Sequence, residues 1–260
     1  MRPSRLDVSL LSGLRADTRA HLLEAGITTL EQIVALQPED LCQFRGIKRT
    51  APRIHAHARA WVEHQPIWYS PLPAHCHQEG FMFDLETNPW SGEPWSLSWS
   101  WGTGTVSIAL VAPNHAPCTL PLPDGQDVVV VPHWEDAWRV VAEAVGDEGC
   151  PIYHWSGFDA GVMRQTAPLE VRQRLDGRMV DLLKAFNATV RVPVSSSSLK
   201  VVAGYLDFRW SAYDDWQQAY LDYKRWLRQQ TDHDLMRACT YQRDDVLALG
   251  LVWQWLVKNQ

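Results

Sequence analysis

Hydrophobic positions change their period near residue 64, and the elements they predict change with it. Before that point apolar residues recur at helical spacing in short blocks, over 13–27 (GLRADTRAHLLEAGI), 28–36 (TTLEQIVAL), 38–44 (PEDLCQF) and 49–64 (RTAPRIHAHARAWVEH). Thr28 or Thr29 suits the cap of the second helix, with Glu31 in its first turn, and Pro38 suits the start of the third. The stretch 64–80, HQPIWYSPLPAHCHQEG, has three prolines and no period, and reads as a linker. From Phe81 the pattern alternates in twos. FMFDLET (81–87), SLSWSWG (96–102), TVSIALVAP (105–113) and DVVVVP (127–132) read as strands. HWEDAWRVVAEAV (133–145) has helical spacing, CPIYHWS (150–156) reads as a buried strand, and the chain beyond Gly157 is mostly helical. Adjacent antiparallel strands followed by alternating strands and helices predict an α/β fold, a mixed sheet flanked by helices.

FMFDLET carries a conflict. Asp84 and Glu86 stand two residues apart in an otherwise apolar strand. Side chains i and i+2 share a face, so two carboxylates stand side by side and repel unless something positive lies between them. Two more acidic positions follow. HWSGFDAGVM puts Asp159 just past the CPIY run, near the start of a helix, and YQRDDVLAL puts Tyr241 and Asp245 four apart, on one helical face. Asp244 and Arg243 then point elsewhere.

Asp-x-Glu on a strand, an Asp after a later strand and Tyr-x-x-x-Asp on a late helix resemble the DEDDy exonucleases of the ribonuclease H-like superfamily. His154 stands where that family usually has Asn. VDLLKAFNATVRVPVSSSSLKVVAGYLDF (180–208) is similar to a segment of the RecB-like predicted nuclease branch, in which a helix–hairpin–helix module can precede the nuclease domain. The resemblance implies a metal-dependent 3′–5′ exonuclease. Asp84, Glu86, Asp159 and Asp245 would hold two Mg²⁺ or Mn²⁺ ions, and Tyr241 would orient the attacking water. Oxygen-rich ligation favours those ions over zinc. His75, Cys76 and His77 lack a second pair at zinc-finger spacing.

Charge bears on the N-terminal part. The net charge is −6, but residues 1–64 carry nine Lys and Arg against seven Asp and Glu, a balance of +2 that leaves −8 on the rest. Between Leu41 and Val62 stand Arg45, Lys48, Arg49, Arg53 and Arg59 and no acid, the footprint of a phosphate-contacting patch. Gly13-Leu14 and Gly46-Ile47 before helices resemble tandem helix–hairpin–helix hairpins, although Arg15 stands where the first hairpin's second glycine belongs and the second, Gly46-Ile47-Lys48, is one residue short. Gly46, Lys48, Arg49 and Arg53, with Lys200 after the serine run, are the candidate nucleic-acid contacts. A protein-docking helical module is the alternative.

The expected organisation is thus a helix–hairpin–helix module over 1–63, a linker over 64–79 and a ribonuclease H-like domain over 80–260. Its substrate is DNA or RNA, with single-stranded ends. A structure-selective endonuclease and a non-catalytic nucleic-acid-binding adaptor remain as alternatives. Five scattered cysteines argue against a disulfide framework and for the cytoplasm, and no apolar run reaches the roughly 18 residues of a membrane helix. Fourteen tryptophans supply core, with some available to stack on bases.

Overall fold

The computed structural model describes residues 6–122, 127–147, 149–213 and 215–260. Four helices come first: α1 (Ala16–Glu24), α2 (Leu30–Val34), α3 (Pro38–Leu41) and α4 (Ala51–Glu63). Strands β1 (Ile67–Trp68), β2 (Phe81–Thr87), β3 (Pro94–Trp101), β4 (Ser107–Val111), β5 (Cys118–Pro121) and β6 (Asp127–Val131) follow. Helices and strands then alternate through α5 (Trp134–Val145), β7 (Ile152–His154), α6 (Gly157–Thr166), α7 (Leu169–Leu175), β8 (Met179–Asp181), α8 (Leu182–Thr189) and β9 (Val190–Arg191). The last helices are α9 (Leu199–Tyr205), α10 (Trp216–Gln229) and α11 (Asp232–Lys258).

The chain forms two compact units. One holds Met1–Pro73, Lys184–Leu206 and Gln260; the other holds Ala74–Leu183 and Asp207–Asn259.

In the first unit the helical blocks fall where the apolar spacing predicts them. Leu22, Leu30, Ile33, Leu41, Ile47 and Ile54 close a small core. Thr29 is the cap of α2, its hydroxyl accepting from Gln32 N while the Gln32 side chain accepts from Thr29 N, which satisfies two otherwise orphaned donors. Pro38 occupies the first turn of α3. The 64–73 stretch, expected to be structureless, contributes β1, which pairs antiparallel with β9 through Ile67 and Arg191. Two-residue strands leave no alternation to read.

The second unit is built on a seven-stranded mixed sheet of order β5-β6-β4-β3-β2-β7-β8. β2, β3 and β4 are antiparallel neighbours, while β2–β7, β7–β8 and β4–β6 pair in parallel. One face of the sheet is apolar. Phe83, Leu85, Leu97 and Trp99 pack with Trp138, Val141 and Val145 of α5. α5 stops at Gly146, whose φ of +62° closes the helix end by bonding back to Ala142 O. The other face receives α11, which approaches so closely at Gly250 that a Cβ there would stand 3.1 Å from Thr103 Cγ2 and 3.3 Å from Gly102 O. This α/β architecture, a mixed sheet flanked by helices, is consistent with the ribonuclease H-like expectation. In this unit two strands were not anticipated. β5 is exposed and four residues long, and β8 is a three-residue edge strand inside a region read as helical.

Candidate active site

β2 runs between the two helical layers, so its alternation assigns its side chains. Phe83 and Leu85 enter the apolar core, and Asp84 and Glu86 face α11. Across the ladder Asp84 opposes Ser98 and Glu86 opposes Ser96. Both serines are buried, and both donate to Gln242 Oε1, at 3.0 Å from Ser96 and 3.3 Å from Ser98. Gln242 is itself fully buried. This contact fixes the rotation of α11, and with it the residues beside Gln242.

That rotation brings Asp245 to the strand acids. Asp84, Glu86 and Asp245 each offer a carboxylate oxygen, and the three oxygens lie within 4.8 Å of one another. Trp210 Nε1 donates to Asp245 Oδ1 at 2.7 Å and orients that carboxylate. Asp244, the next acid back, serves a different purpose. It accepts from Ser211 N at 2.5 Å and pairs with Arg243, anchoring the segment before α10. Three carboxylates at this spacing are an all-oxygen donor set with a large negative charge. That is the chemistry of a hard divalent cation site, so the residues present fit Mg²⁺ or Mn²⁺.

Tyr241 and Asp159 line the same cleft, a cavity of about 330 Å³ that also takes in Asp84 and Glu86. Tyr241 stacks on Tyr213 with ring centroids 5.9 Å apart. Burial pushes its phenol far above the usual value, and the Asp245, Glu86 and Asp84 carboxylates push it the same way, so the hydroxyl keeps its proton. Asp159 sits in the first turn of α6, where Ser156 caps the helix with a φ of +81° and accepts from Phe158 N. Asp159 is 3% exposed and its pKa is raised, chiefly by burial; His154 and the Leu85 backbone oppose the rise. His154 Nδ1 lies 2.5 Å from Ser156 O and 3.7 Å from Asp159 Oδ2. The structure thus gathers Asp84, Glu86 and Asp245 into one cluster and places Asp159 on the wall beside it.

Sequence reasoning missed the aromatic rim. Trp155, Phe158 and Trp216 line the cleft, with Phe158 55% and Trp216 39% exposed. Trp155 and Phe158 lie inside the motif that supplied Asp159; Phe158 is exposed and Trp155 half-buried, so neither ring is a core residue. Trp216 has no local signal.

The nucleic-acid candidates lie in the first unit. Gly46 has a φ of +84°, and a Cβ there would meet Thr18 Oγ1 at 2.5 Å, so only glycine fits. Lys48 and Arg49 are exposed, while Arg53 on α4 and Lys200 at the start of α9 are half-buried.

Residues 134–257 match a family model described as RNase_H superfamily. The matched segment takes in Asp159, Tyr241 and Asp245, and it begins after the strand that carries Asp84 and Glu86. No curated protein and no solved structure matches the chain. Together with the mixed sheet, the match supports a ribonuclease H-like superfamily domain, and with it a nuclease or other nucleic-acid-processing role.

Proposed function

We propose that this chain is a metal-dependent 3′–5′ exonuclease acting on DNA or RNA. The observation that carries the reading is the clustering of Asp84, Glu86 and Asp245 within 4.8 Å, with Asp84 and Glu86 lining a cleft together with Tyr241 and Asp159. Asp84, Glu86 and Asp245, with Asp159, would hold the cations. When bound, two such ions supply Lewis acidity to the attacking water and to the leaving oxygen. The remaining work falls to the protein. Tyr241 keeps its proton and orients the water as a neutral hydrogen-bonding group. His154 holds Asp159 against the cleft wall. Phe158 and Trp216 offer exposed rings on which terminal bases stack, an interaction worth about 1–3 kcal/mol per base. The 3′–5′ direction rests on the resemblance of the three ordered motifs.

The test compares linear strands labelled at either end, strands with a blocked 3′ end, and circles, each with Mg²⁺ or Mn²⁺ and with excess chelator. Stepwise shortening from a free 3′ end, abolished by chelator, is expected. Cleaved circles would make the protein an endonuclease, and metal-independent binding without any cleavage would make it an adaptor.

A further inference from the structure

The first unit contains a cavity of about 400 Å³ that the acidic site does not use. Three separate stretches of chain build it: the turn at Ser12-Gly13, Arg53 on α4, and the segment from Asn187 through Arg191 to Ser197. Its chemistry is cationic and donor-rich. Arg191 is 4% exposed, and its Nη1 donates to Asn187 Oδ1 at 2.6 Å. Among the described residues, the buried Nε of the same guanidinium has no hydrogen-bond partner. Arg53 adds a second positive charge close enough to depress the Arg191 pKa, although burial is the larger cause. Among the described residues neither arginine is ion-paired with a carboxylate.

A buried guanidinium with an open donor and a like charge for a neighbour is costly unless an anion completes it. The planar fork of Arg matches the oxygens of a phosphate, and the Ser195 and Ser196 hydroxyls add neutral donors at the same wall, while Ser197 Oγ donates to Asn187 Oδ1 at 3.3 Å. Gly13, with a φ of +74°, keeps the opposite wall free of a side chain; a Cβ there would project to 3.9 Å from Arg53 Nη2. His57 Nε2, on α4, donates to Val194 O at 3.0 Å and ties the serine segment to the helix that carries Arg53.

We infer that this cavity binds a phosphate group of a single nucleic-acid strand, using Arg53 and Arg191 as the charged contacts and the hydroxyls of Ser195 and Ser196 as neutral ones. The choice of a strand as the carrier of the phosphate rests on the nuclease reading; the cavity and its arginines do not.

The experiment measures binding of a labelled single-stranded oligonucleotide in excess chelator, where no hydrolysis occurs, across a salt series. Inorganic phosphate is added separately while the melting temperature is followed. Arg53→Gln removes the half-buried charge, and Ser195→Asp places a negative charge at the exposed edge without touching the core. Wild type should melt higher with phosphate, and both variants should lose that rise. Both should bind the strand at least tenfold more weakly at low salt, and Arg53→Gln should lower the salt slope by about 0.7 for the lost contact. Absence of any phosphate effect on wild type would overturn the site. A phosphate effect with unchanged strand binding in both variants would overturn the strand and leave a site for a small phosphate ester. Because chelator silences the acidic cluster throughout, failure of the nuclease reading appears only in the cleavage assay and leaves this result intact.

Discussion

Gln242 Oε1 on α11 accepts a 3.0 Å hydrogen bond from Ser96 Oγ on β3, and this buried contact sets where Tyr241 and Asp245 stand relative to Asp84 and Glu86. Gln242→Leu keeps the volume but strips Ser96 of its acceptor. It should cost about 1–3 kcal/mol in a urea titration with an unchanged m-value. Adding Ser96→Ala should recover part of that loss, because the orphaned Ser96 hydroxyl is then gone and Ser98 keeps Asp84 O as an acceptor, while cleavage stays low. Equal stability of wild type and Gln242→Leu would show that packing alone fixes the register of α11.

The acid cluster makes opposite demands on stability and on function. Three carboxylates within 4.8 Å repel one another when nothing neutralises them. Asp84→Asn should therefore stabilise the protein in chelator by about 1 kcal/mol, seen as a higher melting point. Mg²⁺ or Mn²⁺ should stabilise wild type by mass action and the variant much less. Hydrolysis should fall by more than the roughly 10- to 100-fold that loss of an outer-shell partner costs. A variant that gains stability from Mg²⁺ as wild type does would remove Asp84 from the ligand set.

Much of this site was legible because its spacing is local. Asp84 and Glu86 share a face at i and i+2, and Tyr241 and Asp245 at i and i+4, so short-range geometry alone pairs them. What joins the two pairs is not local. Ser96 and Ser98 alternate as any solvent-facing serines would, and their buried acceptor, Gln242, lies more than 140 residues later. Arg191 is similar. In sequence it is one basic residue among valines; in the structure it shares a cavity with Arg53, from a helix far earlier in the chain. β5 and β8 escaped because three or four residues carry too little alternation to distinguish a strand from a turn.

Tyr241 separates orientation from acidity. Its hydroxyl is buried among carboxylates that favour the protonated form, so it acts by hydrogen bonding. Tyr241→Phe keeps the stacking on Tyr213 and removes one oxygen. Single-turnover cleavage should slow by at least about tenfold, while oligonucleotide binding and the Mg²⁺ stabilisation stay within about twofold of wild type. Cleavage at the wild-type rate would make Tyr241 a packing residue.

His57 gives the first unit a pH dependence of its own. It is 3% exposed, and its pKa is lowered to about 4, first by burial and then by the positive charge of Arg191; the hydrogen bond to Val194 O opposes the shift. In the unfolded chain the imidazole titrates near its ordinary value of 6.5. Above that pH neither state binds the proton, and His57 costs nothing. As the pH falls from 6.5 towards 4, the unfolded chain takes up a proton that the folded one refuses, so stability drops progressively across that window and levels off below it. A shift of this size corresponds to about 3 kcal/mol. Carboxylates also begin to titrate at the acid end, so the informative quantity is the difference between wild type and a variant that cannot be protonated. His57→Gln retains a donor for Val194 O and removes the titration. Chemical denaturation at a series of pH values should show wild type losing stability relative to His57→Gln between pH 6.5 and 4, with the two curves parallel above pH 7. Parallel curves through the whole range would mean that the folded protein admits the proton, and that neither burial nor the charge of Arg191 excludes it.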